Sequence, residues 1–88
     1  MEPSVYLDAV KAQLKLASDY QLAKVLEVGN GRIVSMRDGS RPVPNDVAFR
    51  IAKALNLDPA HVIADLEEQR EKNEKRRAFW QSVLSRAA

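Results

Sequence analysis

The stretch from Ser18 to Gly39, SDYQLAKVLEVGNGRIVSMRDG, limits most strongly what this chain can fold into. Ser18 is a good helix N-cap, and Gln21 three residues on completes a capping-box pattern. Leu22, Ala23 and Leu26 then fall on one face at helical spacing. Glu27-Val28-Gly29-Asn30-Gly31 follows, rich in residues that tolerate positive φ, and the expected chain reversal sits there. Asn-Gly between apolar runs also signals a β-hairpin. The flanks do not alternate, however, and Ile33 and Met36 continue a helical pattern. The expected third helix runs from Asn30 to Arg37, with Gly39 as its C-terminal stop. Two short helices joined by a tight turn therefore form the centre of the chain.

The flanking segments read as further helices, which makes the fold class all-α. Residues 1–17 carry Val5, Tyr6, Ala9, Val10, Leu14 and Ala17 as an apolar stripe, with Pro3 suited to a first turn. Pro42 and Pro44 stiffen a loop. A fourth helix from Pro44 to Leu55 buries Val47, Ala48, Ile51, Ala54 and Leu55. Asp58 caps a fifth helix with Pro59 at its first position, and Val62, Ile63 and Leu66 face inward. His61, the single histidine, reads as structural or surface.

Composition closes off several functions. The chain has 88 residues, 45% apolar and 30% charged, which suits one small domain with a modest core. There is no cysteine, so neither a disulfide framework nor a cysteine-held zinc is available. No apolar run approaches the roughly 20 residues needed to span a bilayer. The N-terminus lacks a signal-peptide layout, and the expected location is the cytoplasm. One histidine, no phosphate-binding glycine loop and no inward carboxylate cluster leave no catalytic residues, metal ligands or cofactor to assign, so the chain is not expected to be an enzyme. The net charge is only +2. Its distribution is more informative. Residues 28–53 hold five cations (Arg32, Arg37, Arg41, Arg50 and Lys53) against Asp38 and Asp46, whereas residues 54–66 hold only Asp58 and Asp65. A basic face suits a phosphate-rich partner, and it equally suits an ordinary solvated surface.

The central stretch resembles the lambda-repressor and Cro-type (XRE-like) helix-turn-helix family. The ungapped window runs from Asp19 to Asp38. Ala23 fills the fifth, small position, and Leu22, Leu26 or Val28, Ile33 and Met36 fill the apolar ones. The ninth position, often glycine in the family, is Glu27, which moves the expected turn toward Gly29. The resemblance implies a five-helix bundle over residues 1–66 and double-stranded DNA as the partner. It implies base contacts from Gly29, Asn30, Gly31, Arg32, Val34 and Ser35. It implies phosphate contacts from Gln21, Lys24, Arg37, Ser40 and Arg41.

Residues 67–88 form a helical extension. Its first part, EEQREKNEKRR, is a charged, solvated surface with Glu68–Lys72 and Glu71–Lys75 in supporting i,i+4 order. Asn73 suits a helix cap, so either one long helix or a break near Lys72 is expected. Phe79, Trp80, Val83 and Leu84 then need a surface to bury against: helix one, a second subunit, or another protein. The expected function is a homodimeric transcriptional repressor of a palindromic operator, resembling short phage-type repressors, with Phe79, Trp80, Val83 and Leu84 at the dimer interface. The alternative is an antitoxin-type DNA-binding protein whose C-terminal segment holds a partner protein.

Overall fold

A computed structural model describes residues 1–87; Ala88, the last residue of the expected extension, lies outside the described residues. The described residues form six helices and no strand: α1 Pro3–Gln13, α2 Asp19–Leu26, α3 Asn30–Asp38, α4 Asn45–Leu55, α5 Pro59–Arg70 and α6 Glu74–Ala87. One apolar cluster holds α1 to α5 together. It is built from Tyr6, Leu7 and Val10 of α1, Leu22, Ala23 and Leu26 of α2, and Ile33 and Met36 of α3. Val47, Ala48, Ile51 and Ala52 of α4 and Val62 and Leu66 of α5 complete it. Burying each large aliphatic side chain there is worth about 1.5–3 kcal/mol.

Helix α1 is shorter than residues 1–17, and its buried face is turned from the one expected. Leu7 is fully buried beside Tyr6 and Val10, while Val5 and Leu14 stay more than two-fifths exposed and Ala17 is exposed. Apolar residues flank Tyr6 on both sides, so the local pattern fits two stripes, and packing on α3 and α4 selects the one through Leu7. The helix ends early because Lys15 adopts the left-handed conformation (φ 55°). The Leu16 amide then donates back to the Lys11 carbonyl at 2.8 Å, a six-to-one closure that satisfies a terminal carbonyl. Leu16 gains a place against the core.

The reversal between α2 and α3 uses the same device at Glu27. Gly29 has an ordinary extended backbone (φ −69°, ψ 152°), and Asn30 and Gly31 lie inside α3. The positive φ falls on Glu27 instead (φ 57°, ψ 44°). The turn is therefore not shifted to Gly29, and it needs no glycine conformation from residues 29–31. The reason is closure of α2: the Val28 amide donates to the Ala23 carbonyl at 3.0 Å and the Glu27 amide to Lys24 at 3.3 Å, while half-buried Val28 packs on the core. A left-handed non-glycine residue costs roughly 1–2 kcal/mol. The Glu27 carboxylate recovers part of that through Arg50 at 3.0 Å, but the carboxylate is mostly exposed and water screens such a pair strongly. Glu27→Gly is therefore expected to raise the melting temperature by several degrees in a calorimetric scan. A lower melting temperature would show the Arg50 pair to be the stronger effect.

A polar cluster joins α1 to α5. The Tyr6 hydroxyl donates to Asp65 at 2.6 Å, and Gln69 and the N-terminal ammonium donate to the same carboxylate. Burial disfavours the Asp65 anion. Hydrogen bonds from the ammonium, Tyr6 and Gln69 outweigh burial and hold its pKa below the usual carboxylate value. Burial, then the Asp65 hydrogen bond and charge, push the Tyr6 phenol well above its ordinary value.

The extension folds as a hairpin on α5. Residues 71–73 break the helix, and Asn73 Oδ1 caps α6 by accepting from the Lys75 and Arg76 amides at 3.0 and 3.2 Å. The break takes Glu68–Lys72 and Glu71–Lys75 out of helical register, and neither pair forms. Glu68 instead accepts from Arg77 at 2.8 Å across the hairpin. The main packing partner of α6 is α5 rather than α1. Ala64, fully buried yet outside the main cluster, sits on the helix that α6 covers.

Candidate nucleic-acid interface

The capping box at the start of α2 forms with one change. Ser18 Oγ accepts from the Gln21 amide at 3.2 Å, and Gln21 Oε1 accepts from the Ala17 amide at 2.7 Å, one residue before the cap. Gln21 keeps its side-chain NH2 free to donate outward. Lys24 lies one turn on, with its ammonium 4.6 Å from the centroid of the exposed Tyr20 ring. That contact restrains a flexible cation by a modest cation–π attraction. Sequence reasoning gave Tyr20 no role, and an exposed aromatic four residues before a lysine is the signal that could have drawn notice to it.

Helix α3 is anchored by only two buried side chains, Ile33 and Met36. Asn30, Gly31, Arg32 and Val34 are exposed, Val34 at 60%. Asn30 and Val34 share one flank of this nine-residue helix and Arg32 lies on the other, toward Pro44 and Asp46, while the N-cap, Gly29, offers no side-chain acceptor. The first amides of α3 are therefore free of a cap. A Cβ added at Gly29 or Gly31 would meet nothing within 4 Å. Neither glycine is required by φ or by crowding in the free protein.

Ser35 stands apart from that outer set. It is half-buried, its hydroxyl donates to the Gly31 carbonyl at 3.4 Å, and its own carbonyl accepts from the Arg41 amide at 3.2 Å and the Ser40 hydroxyl at 3.4 Å. Ser35 thus ties the loop after α3 back onto the helix. Gly39 supplies the left-handed stop (φ 80°), and the Ser40 amide donates to Asp38 at 2.8 Å. Arg41 projects from this loop, exposed and with no ion pair among the described residues.

Two of the five cations of residues 28–53 are already engaged. Arg37 makes a bidentate pair with Asp19, at 3.0 Å from Nε and 2.8 Å from Nη2. Its Nη1 reaches Asp8 at 2.9 Å and the Ser4 carbonyl at 3.4 Å. The Arg37 hydrogen bond, against the opposing effect of burial and with help from Lys11, lowers the Asp19 pKa to about 2. Arg37 therefore ties α1, α2 and α3 together, and its charge is largely spent on carboxylates. Arg50 is held likewise by Glu27 at 3.0 Å and Asp46 at 2.6 Å. Arg32 remains unpaired, bordering a shallow cleft with Glu27, Gly29, Pro44 and Asp46. The cations left around α3 are Lys24, Arg32 and Arg41.

The apolar residues of α6 divide by exposure. Phe79 is 58% exposed, whereas Trp80, Val83 and Leu84 are half-buried. The Phe79 and Trp80 rings meet edge to face, with centroids 5.0 Å apart. The α2–α3 residues stand on two helices in contact, whereas the α6 set lies on the separate α5–α6 hairpin.

Among the described residues no three His, Cys, Asp or Glu side chains gather in a way that could hold a metal, and no helix is long and apolar enough to cross a membrane. No family model, curated protein or solved structure matches the chain.

Proposed function

We propose that this chain is a sequence-specific double-stranded-DNA-binding transcriptional repressor of the lambda-repressor and Cro type. The observation that carries the reading is α3 itself. It is short, held by two buried residues, exposed along Asn30, Arg32 and Val34, and flanked by the free cations Lys24 and Arg41. A helix of that width fits a major groove. Asn30 at its start is suited to bidentate recognition of adenine, and Val34 to a thymine methyl. Gln21, Lys24, Ser40 and Arg41 are assigned to phosphates, which position the helix without reading sequence. Arg37 is assigned to fixing the angle between α2 and α3, because Asp19 and Asp8 already occupy its guanidinium. Ser35 shapes the loop that presents Arg41 and borders the reading face.

Selection of bound sites from random duplex DNA with the purified protein tests this reading. A palindromic motif is expected, and no enrichment would remove the proposal. Asn30→Ala is expected to weaken the selected site by about 1–3 kcal/mol per half-site while leaving random-sequence affinity nearly unchanged. Equal losses on both would assign Asn30 to the backbone.

The proposed repressor acts as a homodimer, with half-sites about 34 Å apart and Phe79, Trp80, Val83 and Leu84 between subunits. Phe79 is the discriminating residue, since its exposure means that the fold of one chain does not depend on it. Phe79→Asp is expected to shift the protein from dimer to monomer in sedimentation equilibrium without lowering its helicity. A wild-type monomer ordered only by another protein would favour the antitoxin-type reading.

A further inference from the structure

We infer that the corner between α5 and α6 is part of the same DNA-contacting surface, with Arg70 and Lys72 holding backbone phosphates beside the end of α3. The inference rests on the DNA-binding reading and enlarges the surface that it uses. Arg70 Nη1 donates to the Gly39 carbonyl at 3.3 Å, so the last turn of α5 lies directly against the end of α3. Arg70 and Lys72 line one open cleft together with Gly39, Pro3, Leu66 and Gln69. Both cations are exposed, and neither has a carboxylate partner within ion-pair distance among the described residues. Three carboxylates close by in sequence are committed or turned to local amides: Glu68 is held by Arg77, Glu71 accepts from the Asn73 amide at 3.1 Å, and Asp38 accepts from the Ser40 amide at 2.8 Å.

Charge placement favours this corner over the rest of the surface. Arg37 and Arg50 are held by their own carboxylates, which leaves Arg41 as the free cation that follows the end of α3 in sequence. Arg41 and Ser40 follow Gly39 in sequence, and Arg70 touches Gly39 in space. Arg41, Arg70 and Lys72 therefore make a strip of unpaired cations from the loop after α3 to the break at residues 71–73, with the carboxylates of Asp38 and Glu71 between them turned to the Ser40 and Asn73 amides. A polyanion with regularly spaced phosphates, lying along α3, meets that strip next. A second copy of the chain would bring the same positive charge to it and is disfavoured.

The test is the salt dependence of binding to the selected operator, measured for the full chain and for Lys72→Gln. Removing a single phosphate interaction lowers the slope of log affinity against log salt by about 0.9. Lys72→Gln removes one such interaction from each subunit of the dimer and is expected to lower the slope by about 1.8, with a roughly ten- to hundredfold weaker affinity near physiological salt and an unchanged order of preference among operator variants. Lys53→Gln, an exposed cation on the far half of α4, serves as the comparison and is expected to leave the slope alone. An unchanged slope in Lys72→Gln would overturn the inference, as would an equal change in Lys53→Gln. If the wild-type protein shows no preference for any DNA sequence, the repressor reading itself fails, a result separate from either of these.

Discussion

Arg37→Met is expected to be among the most damaging single changes outside the apolar core. Methionine keeps much of the side-chain volume and removes the guanidinium that joins three helices. The bidentate pair with Asp19 disappears, together with the bonds to Asp8 and the Ser4 carbonyl. Charge-assisted hydrogen bonds contribute roughly 1.5–3 kcal/mol each when shielded. Asp19 is about a third exposed and Asp8 more so, and water screening reduces the total to about 2 kcal/mol. The melting temperature should fall by roughly 8–15 °C. Lys11 remains 3.2 Å from Asp19, so the carboxylate is not left without a partner.

The acid limb separates this electrostatic loss from a packing defect. Asp19 has its pKa lowered from 3.8 to about 2 in the folded protein, chiefly by the Arg37 hydrogen bond. A lowered folded pKa means that the unfolded chain takes up the proton first. The stabilisation is therefore fully present above about pH 4 and is lost as pH falls toward 2. The wild-type and Arg37→Met stability curves should run parallel at neutral pH and converge between pH 4 and 2. A gap that stays constant down to pH 2 would mean that Arg37 acts by packing its methylenes rather than by its charge.

Much of the helical outline was legible because its signals are local. Ser18, Asp58 and Asn73 each cap the helix that begins after them, and Gly39 stops α3 where a glycine was expected. Leu22, Ala23, Leu26, Ile33 and Met36 are buried because no rival stripe competes with them in α2 and α3. The features that escaped depend on distant partners. Leu7 rather than Val5 faces inward because α3 and α4 choose between two stripes of equal local merit. Lys15 and Glu27 become left-handed because Leu16 and Val28 gain burial just after them, a gain that no propensity at the turn residue records. Arg37 meets Asp19 and Asp8 on two other helices, and no spacing rule connects them. The candidate interface was read by position, and position could not show which cations were already spent. That knowledge removes Arg37 from the proposed phosphate set, takes Arg50 out of the free basic face, and draws in the corner at Arg70.

Gly31→Ala should change stability and binding in opposite directions, and this makes it the sharpest test of the reading face. Gly31 lies at the second position of α3, with helical backbone and open space where a methyl group would stand. Alanine is the better helix former by up to about 1 kcal/mol. In the free protein the substitution clashes with nothing, so the melting temperature is expected to rise by about 3–6 °C. A role for this glycine outside the free protein is what the proposed DNA complex offers. Close approach of the α3 backbone to DNA supplies one: the added methyl would occupy space that a base edge or sugar takes in the complex, and the uncapped amides beside it would be held off. Operator affinity is expected to fall at least tenfold, about 1.4 kcal/mol, while the fold becomes more stable. Gly29→Ala should also lose binding, with a fall in stability of less than about 1 kcal/mol, because alanine is a poorer N-cap than glycine. A purely structural role for Gly31 would make both quantities move together. If Gly31→Ala melts higher and binds as tightly as the wild type, the backbone of α3 does not approach DNA closely, and the readout assigned to Asn30 would have to reach across a gap that its short side chain cannot span.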